Sequence, residues 1–169
     1  RKMKLEQGAE DDEDAPWQYL LTYVASDDQV RIFPYNRVVK KLPMGTEEFL
    51  EQLSTVYEVE KAEDAFNPEK KGIVALCSQG SWYKLTVKQT EFDNKRDSLD
   101  VSILQDQVLN AVLGIENPRK SDNLFFVGGI EDPKEMEKYV TDKGNDLFIN
   151  LYPVDIRDLE EIAEAGGVM

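Results

Sequence analysis

The sequence predicts an α+β fold with a mixed sheet, and three observations carry that expectation. In the first half, short apolar stretches are separated by turn residues, as in "GIVALC-SQG-SWYKLTV", the pattern of antiparallel hairpins. In the second half the rhythm becomes strand, helix, strand, helix, which implies a βαβα unit with a right-handed crossover. Apolar residues make up 41% of the 169, enough for one core in a chain of single-domain length.

The elements follow in order. "RKMKLEQGAEDDEDAP" opens the chain, with five consecutive acids from Glu10 to Asp14. Consecutive carboxylates point in different directions, so residues 1–16 read as a solvated acidic linker, not a cation site. "WQYLLTYVA" from Trp17 is apolar on both alternating sets, which suits a strand covered on both faces. "SDDQ" is a turn, because short Ser and Asp side chains bond the local backbone. "VRIF" at 30–33 returns as a second strand and completes a hairpin.

"GTEEFLEQLSTVY" is an amphipathic helix with Thr46 as N-cap, Glu47 and Glu48 at its positive start, and Phe49, Leu50 and Leu53 as the buried stripe. "YEVEKA" alternates as a strand. "GIVALCSQGSWYKLTVKQ" is a second hairpin turning at Gly80, and the polar "TEFDNKRD" separates a hairpin-rich half, 17–95, from an α/β half, 96–169. There, Leu104, Val108, Val112 and Ile115 recur at helical spacing, and Ser102 with Gln105 fits a capping box. "NLFFVGGI" and "DLFINLYP" are strands. Between them Asp132, Pro133 and Glu135 form an N-cap, N1 proline and N3 acid. The last helix runs from Asp155 to a stop at Gly166.

Composition excludes several functions. The net charge of −14 opposes binding to nucleic acid, which relies on Lys and Arg replacing counterions, and no basic stripe is present. No apolar run is long enough to span a membrane, and residues 1–16 lack the apolar stretch expected of a signal peptide. Histidine is absent, which removes the commonest general base and many metal sites, so no metal centre is expected. The single cysteine, Cys77, lies in an apolar run and reads as a buried structural thiol in a reducing, cytoplasmic setting.

Four places could carry chemistry. Asn36 and Arg37 lie just after the expected strand, and an arginine at a strand end can grip phosphate or carboxylate in two bonds; a surface salt bridge is the plainer alternative. Asp100 precedes a helix, where it can cap, bind a cation or orient an arginine. Arg119 and Asp122 share a polar loop, where mutual pairing is the simpler expectation. Gly128 and Gly129 sit between strand and helix. Their amides could cradle an anion, or the glycines could serve only a tight turn.

The ordered set "YNRVVK", "SLDVSILQDQVLNAVLGIENPR", "FFVGGI", "LYP" and "AEAGGVM" resembles the bacterial and archaeal family called domain of unknown function 1015, from about Trp17 to Met169. The resemblance implies a larger N-terminal part with an Asp-Gly-His-His-Arg loop, similar to the phosphate loop of ParB and sulfiredoxin-like proteins, and a final strand after "AGGVM". The chain is thus expected to be a C-terminal fragment truncated at both ends and inactive alone. The missing N-terminal part, or a second copy, would be its partner. The likeness implies a nucleotide-dependent phosphotransferase or hydrolase, with a magnesium nucleotide bound by the full-length protein and Asn36, Arg37, Asp100, Arg119, Gly128 and Gly129 as ligand-binding candidates. The alternative is a ParB-like interaction or dimerisation module without catalysis.

Overall fold

A computed structural model of the chain describes Glu6, Gly8, residues 15–129 and residues 132–167. The acidic block Glu10–Asp14, and Val168 and Met169, lie outside the described residues. Two compact units divide the chain, Arg1–Val30 and Arg31–Met169.

The second unit is built on a six-stranded sheet. Its strands are β1 (Tyr35–Val39), β2 (Tyr57–Ala62), β3 (Ile73–Ser78), β4 (Ser81–Val87), β5 (Leu124–Gly128) and β6 (Leu147–Leu151), in the order β2-β4-β3-β6-β1-β5. Every hydrogen-bonded pair is antiparallel. The helices interspersed along the chain make the fold α+β, as the sequence predicts. The β5–helix–β6 crossover is present in split form: β5 and β6 point the same way, but β1 lies between them, with Arg37 opposite both Phe126 and Ile149.

The side-chain period of two assigns each strand residue to a face. Val39, Val74, Leu76, Leu85, Leu124, Leu147, Ile149 and Leu151 bury the larger core. It is covered by α1 (Thr46–Leu53), through Phe49 and Leu53, and by α2 (Asp100–Ile103), which runs on into a wider π-helical segment, Leu104–Asn110. The opposite face carries Val38, Ala75, Cys77, Trp82 and Phe148, and is covered by Met136 and Val140 of α3 (Pro133–Asp142). The Trp82 indole donates to Glu137 at 2.6 Å, which pins α3 to β4. A last helix, α4 (Ile156–Glu164), is tied back by Asp158, which receives Lys95 at 2.7 Å and Lys71 at 3.5 Å.

Most local expectations hold. β2 coincides with "YEVEKA", and β3 and β4 turn at Gln79 and Gly80, both at positive φ. Asp132 and Asp155 cap their helices by accepting the amides of Lys134 and Arg157. Cys77 is buried, and desolvation, with Glu137 nearby, pushes its thiol up to about 11, as suits an inert core residue.

Three expectations fail. The hairpin of Trp17–Val24 with residues 30–33 is not formed. A 3₁₀ turn at Pro16–Gln18 and another at Asp27–Gln29 flank chain that makes no ladder, and Leu20, Leu21, Tyr23 and Val24 are at least 84% exposed. A lone two-stranded ribbon is marginal in water, and this one would have left an apolar set bare. The first strand instead starts at Tyr35, so Asn36 and Arg37 lie inside it, because Val38 and Val39 bury on opposite faces between β5 and β6. Two caps also move. Gly45, not Thr46, precedes α1, and the Thr46 hydroxyl lies 3.3 Å from that of Ser78. The capping box at Ser102 is absent because α2 already starts at Asp100. Ser102 is inside the helix and its amide donates to Leu99 O.

Gly129 shows why a glycine follows β5. Its amide donates to Pro34 O at 2.8 Å, and a Cβ there would fall 2.1 Å from Pro34 Cγ, whereas a Cβ at Gly128 would meet open space. Gly129→Ala should therefore destabilise the fold by about 1–3 kcal/mol in urea unfolding, and Gly128→Ala by less than about 0.5 kcal/mol.

Candidate functional site

The alternation of β1 sets the stage. Tyr35, Arg37 and Val39 face the larger core, and Asn36 and Val38 the other. Asn36 is buried, and its Oδ1 accepts Leu151 N at 3.1 Å, just beyond the last β1–β6 main-chain pair. It thus extends the ladder by a side chain and lies on the opposite face from Arg37.

Arg37 is only 8% exposed. Nη1 donates to Tyr35 O. The guanidinium stands 5.4 Å from the Phe126 ring centre, and Tyr35 stacks on the same ring at 5.0 Å. Its Nε is buried without a hydrogen bond, and no carboxylate of a described residue forms an ion pair with it. Desolvation brings its pKa down to about 10, so it remains a cation at neutral pH. Buried charges are ordinarily paired, because withdrawing an ion from water costs several kcal/mol. The surface salt bridge considered for Arg37 is not formed among the described residues.

Two clefts open on this side chain. The larger, about 770 Å³, is lined by Tyr35, Arg37, Val101, Asn117, Pro118, Arg119 and Phe126. The smaller, about 210 Å³, is lined by Arg37, Arg96, Leu99, Val101, Ser102, Gln105 and Asp106. Arg37 and Val101 belong to both. Arg119 does not pair with Asp122 as expected. Its loop is instead folded by an Asx turn, Arg119 N donating to Asn117 Oδ1 at 3.1 Å, which leaves its exposed side chain at the larger cleft. So Arg37 and Arg119 come together. Arg96, Tyr35 and Phe126 join them, and sequence reasoning does not single these three out. The period-two register of β1 would have put Tyr35 beside Arg37, but nothing in "DNKRD" distinguishes Arg96 from a solvated loop charge.

Asp100 lies elsewhere. Both carboxylate oxygens accept the amide of Gly72, at 3.0 and 3.1 Å, so it binds neither its own helix start nor an arginine. It borders a separate cavity of about 220 Å³ with Lys71, Tyr152, Asp155 and Asp158. Desolvation, against the Gly72 bond and Lys71, raises its pKa to about 6. Gly128 and Gly129 sit at the end of β5, and the Gly129 amide is committed to Pro34. Among the described residues no group of three or more Cys, Asp or Glu could hold a metal ion, and no helix is long and apolar enough to cross a membrane.

The raised carboxyl of Asp100 has a definite sign. Its folded pKa exceeds the unfolded value of about 3.9, so the folded state holds the extra proton between about pH 4 and 6. This group therefore lowers stability as pH rises through that window, and the loss persists above it. Asp100→Asn retains an acceptor for Gly72. The variant should gain on the order of 1–3 kcal/mol over wild type at pH 7, and the gain should shrink toward pH 4 in urea titrations.

Comparison with known proteins places the chain by sequence. The model of the family described as protein of unknown function (DUF1015) matches residues 1–102, more than half of the chain and inclusive of β1 and Arg37. No curated protein and no solved structure matches significantly.

Proposed function

We propose, for a chain that belongs to this family of proteins of unknown function (DUF1015), that its function is to bind a small oxoanionic molecule over Arg37. One observation carries the reading. A guanidinium is kept out of water at a cost, without a carboxylate of any described residue paired to it, at the shared wall of two open clefts. A fold gains nothing from such a charge by itself, whereas a phosphate or carboxylate ligand supplies the missing partner. Arg119 and Arg96 add positive potential locally in a chain whose net charge is −14, which concentrates the anion there.

In its finer form, the proposal is that the intact protein is a nucleotide-dependent phosphotransferase or hydrolase and that these clefts hold the phosphorylated or carboxylated partner of the reaction. Arg37 would orient the anion. Asp100 would act at a distance, by fixing the start of α2 on Gly72 and so placing Val101 and Ser102 in the cleft walls. A second reading, a docking or dimerisation module, draws support from the exposed apolar stretch Leu20–Val24 in the first unit.

Thermal unfolding in inorganic phosphate, and in ATP, CTP and GTP with magnesium, tests the first reading. Ligand at a hundredfold excess over its dissociation constant adds about 2.7 kcal/mol. The decisive variant is Arg37→Met, which fills similar volume without the charge. It should lose the ligand-induced shift, yet in ligand-free buffer it should be as stable as wild type or more so, by up to about 3 kcal/mol. A Met variant that unfolds easily without ligand would assign Arg37 to the scaffold.

A further inference from the structure

Building on the oxoanion reading of Arg37, we infer that the ligand carries two separate anionic groups, a phosphate and a carboxylate on one short carbon skeleton. The argument begins with the doubling of the site. Arg37 and Val101 are the residues common to the two clefts, so one buried arginine borders two recesses. Each recess has its own second arginine, Arg119 in the larger and Arg96 in the smaller. Both are exposed, and neither takes part in an ion pair among the described residues, although the chain has 34 acidic residues. Three of the chain's six arginines therefore gather around Val101 without a carboxylate of any described residue bound to them.

The two recesses differ in chemistry. No acid of a described residue lines the larger one, and Asn117 adds an amide, which suits the full dianion of a phosphate. The smaller one includes Asp106 and offers the neutral donors of Ser102 and Gln105, which suits the single charge of a carboxylate. At about 210 Å³ it has room for a carboxylate and part of the short skeleton that bears it. Gln105 is held in position there. Its Nε2 donates to Ile115 O at 3.0 Å, which uses one N–H of the amide and leaves the second as a donor. A bridging ligand would have its phosphate between Arg37 and Arg119 and its carboxylate between Arg37 and Arg96. One desolvated cation would serve both groups, which a monoanionic ligand cannot exploit.

Isothermal titration with two probes of nearly equal size decides the matter. Glycerol 3-phosphate has the phosphate alone, and 3-phosphoglycerate adds the carboxylate. The second should bind at least about tenfold more tightly, the effect of one added charge-assisted contact. That advantage should vanish in Arg96→Gln, an exposed position where substitution leaves the core intact. Equal affinities, or an advantage that survives Arg96→Gln, would overturn the two-anion inference while the Arg37 oxoanion site stands. No binding of either probe, or of inorganic phosphate, would overturn both.

Discussion

The insertion of β1 between β5 and β6 is the constraint on which the rest of the molecule depends. Residues 35–39 pair on one side with 124–128 and on the other with 147–149, so a strand from the first third of the chain is locked by two from its end. The two flanking strands belong to one crossover, and β1 fills the gap between them by running against both. With β1 in place, the hairpin of β3 and β4 joins through β6, and β2 closes the far edge through β4. The burial of Val38 and Val39 on opposite faces then ties the two cores to one strand. The large sequence separation of these pairings carries a loop-closure cost that only the burial of both faces offsets.

The same constraint places Arg37 where a folded chain ordinarily keeps valine. The strand must alternate, so the position between Asn36 and Val38 faces the larger core whatever residue occupies it. The main-chain carbonyl of Tyr35 and the face of Phe126 partly replace water around the guanidinium, but hydrogen bonds to neutral groups and a ring face do not match a carboxylate. The fold thus tolerates a local cost at a strand that is paired on both sides. Such a departure from the rule of paired buried charge belongs to a binding position more naturally than to a scaffold. The walls of the clefts are held less expensively. Asp100 fastens the start of α2 to the turn before β3, and the π-helical continuation returns the chain through Ile115 N to Leu109 O.

Much of this is legible in residues taken locally. The Asp132–Pro133–Glu135 start, the Gly80 hairpin and the alternation of "YEVEKA" each rest on interactions within a few residues, so short windows contain the whole cause. The failures are equally physical. "WQYLLTYVA" has strand composition, but a strand exists only through a partner, and its composition names none. Thr46 and Ser102 are good caps in isolation, yet packing of Phe49 and Leu99 sets where each helix begins. Of the site, Arg37 and Arg119 are recognisable as chemistry-bearing residues. The true partner of Asp100, Gly72, is 28 residues away, so no local pattern around Asp100 reveals it.

The sequence by itself determined the α+β class, the succession of helices and strands from Tyr57 onward, the absence of histidine chemistry and the acidic field in which any site must operate. These follow from composition and from periodicities of two and 3.6, which are properties of neighbouring residues. Only the tertiary structure decided that β1 would begin at Tyr35 and part β5 from β6. It alone placed Arg37, Arg96 and Arg119 around Val101 and left the first of them buried without an acid of any described residue bound to it. Those outcomes depend on which strands meet across the chain, and the free energy of that meeting is held in pairs from Val39–Leu124 to Arg37–Ile149, residues 85 to 112 positions apart.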